Sequence, residues 1–576
     1  MYKKFFFSLI ALISSLTIWA GEPVPEFVMR QAGETFQRYI EWKNGEETLV
    51  FPVITDVHTN DRETYRHVGY LAHTDRLFSY DFMVNLGDIG LNLGSPHDDA
   101  GLSRQIVEWT RSEMAEFPGV FLYVAGNHDW DGGEGTHLTS KYLSDVFQSP
   151  AHRYADGNMH LVDGTVYGYY DVPEKRVRMI LLNSSATETL SGDYYCYGKK
   201  QLDWLTGLLN DTPIGMDVII LSHFMPHRMG HWKPKHNIPR PATSILTHLL
   251  ADYVNRRAGG EQEVTWDFTH ASGSLVGVVA GDSHVNNFIC DDGVNYFVTQ
   301  GYGNVGKENM QEGQRRAEFN YRESLCCDVV AVKLKSKEVR VFRIGAGGKE
   351  FDQEFTYGNE PLPAGFTITA HSGAYNTPPN SMQFIDTSLE NDADILEFDV
   401  RLRPDGELAM SHDAIKDNDA ELIEPVMMKI KGRRTHINLD IKEPRTLRSL
   451  YKLIKRLKMA DQVFLTGVED QAIPEVKKSC PGIAYYLNFA ADVNLLADPA
   501  YQNLLLTKLR ETGAVGINCN YKYCTSLLAE LLHKNGYLLS VWTVDKVADM
   551  HRVLRCHPDN ITTRKPLELK EVLAGR

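Results

Sequence analysis

Short runs rich in Val, Ile and Phe alternate with longer helical patterns along almost the whole chain. This alternation is typical of α/β architecture. In the first part of the chain, the strand-like runs are residues 49–55, 82–85, 120–125, 179–183, 218–222 and 275–280. Each run ends at or just before a His, Asp or Asn. Open α/β sheets bind ligands at the carboxyl ends of their strands, so we expect these polar residues to line a site.

A stretch containing Gly and Pro at residues 345–365 interrupts this pattern. Such a stretch favours a break between domains. Beyond it, strand-like runs cover residues 366–370, 395–401, 435–441, 462–466, 483–487, 515–518, 537–544 and 560–563. Eight strands separated by helical stretches, in about two hundred residues, predict a small (β/α)₈ barrel. We therefore predict an α/β chain with domains at 21–345 and 365–576, joined by a linker at 346–364.

Residues 1–20 have the features of a secretory signal. Lys3 and Lys4 supply a positive start, and a short apolar run follows at residues 5–18. The run is too short for a membrane span, so a cleaved signal peptide is predicted, with an uncleaved anchor as the alternative. We expect export to the periplasm or the cell exterior, with no transmembrane segment in the mature chain.

The length and the net charge of the chain limit the classes of protein to which it can belong. The chain has 576 residues, which is too long for one hydrophobic core. Its formal net charge of -15 argues against a protein that mainly binds nucleic acid or an anionic membrane. It does not exclude phosphate chemistry, because bound divalent cations reverse the local field at a site.

Five strand-terminal groups in the first domain carry side chains that bind metals. In chain order they hold Asp56 and His58, Asp88, Asn127 and His128, His223, and Asp282 and His284. Mixed carboxylate, imidazole and amide ligands suit two divalent transition-metal ions, Mn, Fe or Zn. A pair of such ions can clamp phosphate oxygens and lower the pKa of a bridging water. The five groups together predict a metal site, although each alone is more often structural.

The order of these groups resembles the calcineurin-like metallophosphoesterase superfamily over roughly residues 45–345. The family pattern is D-x-H, G-D, G-N-H-D/E, a lone H and G-H-x-H. The resemblance implies an α/β sandwich of two mixed sheets flanked by helices. It implies that Asp56, His58 and His284 bind one metal and that the carboxylate of Asp88 bridges to a second metal. Asn127 and His223 would bind the second metal, and His128 would donate to the phosphoryl oxygen or the leaving group.

One block departs from that pattern. Asp282 stands where the family usually has the first His of G-H-x-H. A carboxylate can still bind a metal and makes the second site harder and more negative. Metal preference therefore stays open at this point, and a metal-free relic is the alternative to a hydrolase.

The second domain carries its own set of polar strand ends. His371 follows the first barrel strand, Glu397 and Asp399 close the second, and Asp440 ends the third. The two carboxylates of the second strand are two residues apart, so they point to the same side. That side lies at the carboxyl mouth of the barrel, where (β/α)₈ enzymes work. His412 follows a short hairpin, and two His beside a bound cation suit phosphodiester cleavage.

This part resembles the glycerophosphodiester phosphodiesterase family, which shows H-R-G, P-E-N-T, E-L-D, H-D and L-E-I-K. The resemblance implies that His371 and His412 form the acid/base pair and that Lys442 contacts the phosphate. It implies Ca²⁺ or Mg²⁺ bound by Glu397, Asp399 and Asp440.

The barrel also departs from its family in three places. Ser372 replaces the usual Arg, residues 378–381 read P-P-N-S, and Asp440 is one methylene shorter than the usual Glu. The first change removes a fixed positive charge beside the phosphate. A barrel that binds a phosphorylated ligand without cleaving it is therefore the alternative to an enzyme.

The two resemblances together predict a bifunctional enzyme. The barrel would cut a phosphodiester, such as a deacylated phospholipid headgroup, into an alcohol and a phosphomonoester. The first domain would then release phosphate from the monoester. Two alternatives stay open: the first domain is itself the diesterase or nucleotidase, or the barrel is a binding module.

Overall fold

The computed structural model describes residues 24–58, 62–90, 100–129, 139–147, 157–184, 197–213, 215–227, 241–302, 310, 313–358 and 362–574. The predicted signal at residues 1–20 lies outside this set. The chain divides into two compact units, Met1–Gly358 and Asn359–Arg576. Among the described residues, no helix combines the length and apolar character needed to cross a bilayer.

The first unit contains two mixed sheets. The six-stranded sheet has the order β15-β14-β13-β1-β2-β3, and the seven-stranded sheet has the order β11-β12-β10-β7-β6-β5-β4. The strands of the first sheet are β1 Thr48–Ile54, β2 Phe82–Asn85, β3 Val120–Tyr123, β13 Cys326–Lys333, β14 Glu338–Gly345 and β15 Gln353–Thr356. Those of the second are β4 Met159–Leu161, β5 Gly168–Val172, β6 Val177–Leu181, β7 Asp217–Ser222, β10 Ser274–Ala280, β11 Asn287–Asp291 and β12 Val294–Val298. A separate hairpin joins β8 Ala258–Glu261 to β9 Val264–Asp267.

Three large apolar cores among the described residues hold this unit together. One core combines residues of both sheets, such as Phe51, Val84, Leu221 and Phe297. The other two combine each sheet with helices, and Tyr39 and Leu249 are examples. A strand with apolar residues on both faces needs cover on both sides, so the two sheets pack face to face beneath outer helices. The helices are α1 Glu26–Lys43, α2 Arg62–His73, α3 Asp75–Phe78, α4 Ala100–Met114, α5 Ser140–Phe147, α6 Lys199–Asn210 and α7 Pro241–Val254.

The predicted linker at residues 346–364 begins too early. Residues 353–356 form β15, which pairs antiparallel with β14 at the edge of the six-stranded sheet. The glycines read as a linker form a turn, since Gly347 and Gly348 have positive φ values of 85° and 54°. Glycine supplies such conformations in turns as well as in flexible segments, so the two cases look alike in sequence.

The second unit is a closed barrel of eight parallel strands. Its order is β16-β24-β23-β22-β21-β20-β19-β17, closed by pairing of β16 with β17, and β18 adds an antiparallel hairpin. The strands are β16 Thr367–Ala370, β17 Ile395–Leu402, β18 Leu408–Met410, β19 His436–Ile441, β20 Val463–Val468, β21 Tyr485–Asn488, β22 Gly516–Asn520, β23 Leu538–Trp542 and β24 Asn560–Thr563. Each of the eight predicted runs contains or overlaps one of these strands, so the predicted barrel is confirmed.

Amphipathic helices surround the barrel. In the helix Leu447–Leu457, four apolar side chains are buried at helical spacing: Leu450, Leu453, Ile454 and Leu457. They join the apolar core together with alternate strand residues such as Leu439. The barrel helices are α8 Met382–Glu390, α9 Ile423–Ile430, α10 Leu447–Leu457, α11 Ile473–Ser479, α12 Pro499–Thr512, α13 Ser526–Lys534, α14 Val547–Leu554 and α15 Pro566–Ala574. Because strand side chains alternate, the residues between these apolar positions face the barrel interior.

Candidate metal centres

The carboxyl ends of five strands bring together the ligand set expected in the first unit. These residues follow β1, β2, β3, β7 and β10, so both sheets contribute. We call the set the first cluster; its members are Asp56, His58, Asp88, Asn127, His223, Asp282 and His284.

One half of the first cluster converges on His58. Its Nε2 atom lies 3.1 Å from Asp88 Oδ2, 3.5 Å from Asp56 Oδ1 and 3.1 Å from His284 Nε2. The Nε2 atom of His284 lies 3.1 Å from the same oxygen of Asp56. Three ligand atoms from Asp56, His58 and His284 can hold one ion.

The other half converges on His223. Its Nε2 atom lies 3.2 Å from Asp88 Oδ2, 3.1 Å from Asn127 Oδ1 and 3.8 Å from Asp282 Oδ1. Asp88 thus contacts both halves, as a bridging carboxylate does. Asp282 lies near enough to join this half but belongs to none of the tight three-ligand groups.

The backbone at this cluster is strained. Five of its members have φ between 44° and 62°: Asp56, His58, Asp88, Asp282 and His284. Non-glycine residues rarely adopt this region, and such conformations gather at functional sites. The loops also pack tightly, since a Cβ on Gly126 would lie 2.1 Å from Asp88 Oδ1. The glycine of the G-N-H-D motif is therefore required by close approach.

A layer of hydrogen bonds orients the ligands, and sequence reasoning missed most of it. Asp129 is buried and accepts bonds from the backbone N–H groups of Gly126, Asp88 and Ile89 at 2.7–2.9 Å. The hydroxyl of Tyr123 donates to the same carboxylate at 2.7 Å. The Nδ1 atom of His223 lies 2.7 Å from the carbonyl oxygen of Leu86, which leaves Nε2 free to serve as a ligand.

The electrostatics of the first cluster fit bound cations. Burial alone would lower the pKa of His58, but hydrogen bonds and charges from Asp56 and Asp88 raise it to about 10. Burial raises the pKa of Asp282 to about 7, helped by the charges of Asp56 and Asp88. Among the described residues, Asp56 Oδ1 is buried and receives no well-formed hydrogen bond, although His284 lies 3.1 Å away. A buried carboxylate oxygen without a well-formed donor suits a bound cation.

His128 lies beside this cluster. Its ring packs edge-on against that of His58, with centroids 4.7 Å apart. Its backbone N–H donates to Asp88 Oδ1 at 2.8 Å, and burial lowers the pKa of the imidazole. The predicted role outside the metals is compatible with this position.

The barrel cluster consists of Glu397, Asp399 and Asp440, from β17 and β19. One oxygen of each lies within 4.8 Å of the others. Burial and the charges of the other two raise the pKa of Glu397 well above its usual value. Three carboxylates in contact fit a hard divalent cation, which would replace their mutual repulsion by attraction.

Two neighbours bind these carboxylates in the structure. The Nζ atom of Lys442 lies 2.6 Å from Asp440 Oδ2 and 2.9 Å from Asp399 Oδ1. The amide of Asn380 donates to Asp399 Oδ2 at 2.7 Å. Sequence reasoning assigned Lys442 to the phosphate and gave Asn380 no role, although Asn380 is the residue of P-P-N-S that matches the Asn of P-E-N-T.

The barrel cluster opens into a cavity of ≈ 480 Å³. His371, His412 and Lys442 line it, together with polar strand ends such as Asn488 and Asn518. Burial lowers the pKa of His371, whose Nε2 atom lies 3.9 Å from Glu397 Oε2. The side chain of His412 is 73% exposed and contacts Asp413. Both predicted acid/base residues thus lie at one cavity, and the Asn residues at strand ends were the missed signal for its polar lining.

Comparisons with known proteins match about a third of the chain. No protein-family model matches the chain. A glycerophosphodiester phosphodiesterase of Caldanaerobacter subterraneus subsp. tengcongensis is 26% identical over 237 residues, covering 34% of this chain and 94% of that protein. The enzyme of the same name from Bacillus subtilis is 22% identical over 269 residues, covering 38% and 90%. Over about a third of its length the chain is therefore homologous to glycerophosphodiester phosphodiesterases.

A solved structure is similar to a larger share of the chain. A dimetal phosphatase from Danio rerio covers 54% of this chain and 99% of its own, with 14% identity and a TM-score of 0.37. A likeness this distant carries no functional argument.

Proposed function

We propose that this protein is a phosphoester hydrolase with two metal-dependent active sites. The barrel cleaves a glycerophosphodiester into an alcohol and a phosphomonoester. The first unit releases phosphate from phosphomonoesters. Two clusters of side chains able to hold cations carry this proposal, and the homology to glycerophosphodiester phosphodiesterases supports the diesterase assignment.

In the barrel, the catalytic groups would be two imidazoles and one cation site. Ca²⁺ or Mg²⁺ held by Glu397, Asp399 and Asp440 would supply positive charge to the phosphate oxygens. His371 and His412 line the same cavity. One imidazole would accept the proton of the attacking oxygen, and the other would protonate the leaving alcohol.

In the first unit, the mixed ligand set suits two ions of Mn, Fe or Zn. When bound, such ions supply Lewis acidity to the phosphate oxygens. His128 lies against His58 at the edge of this set and is placed to donate a proton to the phosphoryl or leaving oxygen. Asp129 holds the loop that carries Asn127 and His128.

Both activities in one chain would act in sequence on one substrate. Tethering raises the effective concentration of the monoester at the second enzyme. We also propose that the protein is exported, on the basis of residues 1–20. Amino-terminal sequencing of the mature protein, with cell fractionation, tests that point.

Phosphorus NMR tests the proposed relay. Full-length protein with Ca²⁺ and Mn²⁺ is incubated with glycerophosphocholine, beside His371→Ala and Asp88→Asn. We expect the diester to pass through a monoester to free phosphate. His371→Ala should stop the first step and Asp88→Asn the second. Undiminished monoester from His371→Ala would show that the barrel is not the diesterase for this substrate.

One observation favours a second candidate function for the barrel. Ser372 stands where the family has Arg, and its hydroxyl accepts a hydrogen bond from the N–H of Asn380 at 2.7 Å. A barrel lacking that guanidinium could bind a phosphorylated ligand without cleaving it. Binding of glycerol 3-phosphate with no turnover of diesters, in the presence of Ca²⁺, would favour this alternative.

A further inference from the structure

The cavity of the barrel has two cationic side chains among the described residues that line it, Lys442 and Arg564. They differ in how far neighbouring carboxylates already neutralise their positive charge. Lys442 contacts two carboxylates, Asp399 and Asp440, at 2.9 and 2.6 Å. Its ammonium is therefore neutralised locally and is poorly placed to bind an anion while those contacts last.

The position next to His371 holds no charge. Ser372 is 3% exposed, and its hydroxyl supports the loop at Asn380. The N–H of Ser372 donates to Glu397 Oε2 at 2.9 Å, so this residue is committed to the loop and to the barrel cluster. An anionic substrate must find its cationic partner elsewhere.

Arg564 directly follows the neighbouring strand β24, beside this position. Ala370 pairs with Thr563 in the register of β16 and β24, and the N–H of His371 donates to the carbonyl of Thr563 at 2.9 Å. The first residues beyond the two strands, His371 and Arg564, therefore emerge side by side at the cavity mouth. Loops after the last strands of (β/α)₈ barrels are frequent phosphate sites.

Asp545 holds the guanidinium in place. It accepts from the backbone N–H of Arg564 at 2.8 Å and from Nη1 at 3.1 Å. In the part of the chain that the structure describes, Nε and Nη2 of Arg564 have no hydrogen-bond partner, and the side chain is 48% exposed. A guanidinium group that is held at one nitrogen and has further N–H donors available is suited to bind phosphate oxygens.

We propose that Arg564 binds the phosphate of the substrate and replaces the guanidinium that Ser372 lacks. The inference rests on the proposed diesterase function and makes Arg564 a determinant of specificity for anionic phosphodiesters. The phosphate would lie between Arg564 and the barrel cluster, with the imidazole of His371 next to both.

Binding and kinetics of full-length variants test this assignment. All proteins carry Asp88→Asn to silence the first unit and are assayed with Ca²⁺. Arg564→Ala and Arg564→Lys are compared with Arg456→Ala, an exposed arginine paired with Glu424 on an outer helix. Calorimetry gives the Kd of glycerol 3-phosphate, and glycerophosphocholine hydrolysis gives KM and kcat. Thermal unfolding verifies that each variant is folded.

We expect Arg564→Ala to raise both Kd and KM by about 10- to 100-fold, the effect of losing one charge-assisted hydrogen bond. Its kcat should change much less, its affinity should depend less on salt, and Arg564→Lys should lie between it and the parent. Unchanged Kd and KM, or a loss confined to kcat, would overturn the role of Arg564 while leaving the diesterase function intact. If the parent protein itself neither binds nor hydrolyses these probes, the proposed function fails instead.

Discussion

The two clusters place buried carboxylates in opposite electrostatic settings. In the first cluster, Asp88 lies within 3.2 Å of His58 and His223, so imidazoles accompany the carboxylates. In the barrel cluster, three carboxylates meet, and Lys442 bridges only two of them. Glu397 keeps a raised pKa as a result. The contrast fits the proposal that imidazole and carboxylate ligands would favour transition metals in one unit, whereas carboxylates alone would favour Ca²⁺ or Mg²⁺ in the other.

The backbone conformations at the two clusters also differ. Five residues of the first cluster have positive φ and lie in loops that must be held by other contacts. Glu397, Asp399 and Asp440 lie within regular strands. The first site depends on loop packing, whereas the barrel site follows from strand alternation.

The largest expected effect is the loss of one hydrolytic activity without the other, which distinguishes the two sites. Asp88→Asn should lower Mn²⁺-dependent hydrolysis of p-nitrophenyl phosphate about a thousand-fold or more, since it removes the group shared by both halves of the cluster. Glu397→Gln should do the same to Ca²⁺-dependent hydrolysis of glycerophosphocholine. Each variant should retain the other activity. Exposed Asp203→Asn and Glu424→Gln are matched controls, and loss of both activities in either active-site variant would contradict independent sites.

The next effect concerns stability. The side chain of Arg343 is fully buried and ion-paired to Asp328 at 2.7 Å, and it also donates to Asn286 in the loop that follows His284. Arg343→Met leaves Asp328 buried without its partner and should cost about 3–5 kcal/mol. Urea titration with pulsed hydrogen exchange measures it, with β13 and β14 peptides as reporters and barrel peptides as the internal control. Equal loss in both units would show that they unfold as one.

A smaller effect is expected around the barrel cations. Asn380→Ala removes the amide that orients Asp399, and loss of such a contact typically weakens metal affinity about 10- to 100-fold. Calorimetry with Ca²⁺ measures the change, and Asn535→Ala at the end of α13 is the control. Mn²⁺-dependent phosphatase activity should not change. An unaltered Ca²⁺ affinity would mean that Asp399 is held without this amide.

The last effect is a dependence on pH in the first unit, spread over several pH units and therefore small at any one pH step. Burial lowers the pKa of His67 from the usual 6.5 to about 4. Between these values the unfolded chain binds a proton that the native protein does not, so stability falls as pH falls through this window, by up to about 1.4 kcal/mol per pH unit. His67→Gln should weaken the dependence of the unfolding free energy on pH, as measured by urea unfolding monitored on α2 peptides. The two proteins should have similar slopes near pH 7.5, and equal slopes at pH 5 would contradict the assignment.

Hydrophobic periodicity by itself determined the class of fold and the barrel. Eight apolar runs spaced by helical stretches admit few solutions other than eight parallel strands, because each strand must bury one face against a helix. The i, i+2 spacing of Glu397 and Asp399 likewise placed them on one side of β17. The candidate cation ligands were named from the sequence because they lie at or near strand ends and match the motifs of two families.

Tertiary structure determined the strand pairing and the side-chain partners that the local sequence pattern does not specify. The edge strand β15 was read as linker, since a glycine turn looks the same in a hairpin and between domains. Asp129, Asn380 and Arg564 are held by partners on other elements, such as Asp88, Asp399 and Asp545, which no local pattern specifies. The charge on Lys442 is committed to two carboxylates by the geometry of the folded barrel. Sequence spacing specifies which side chains share a strand end, but only packing specifies which partners satisfy them.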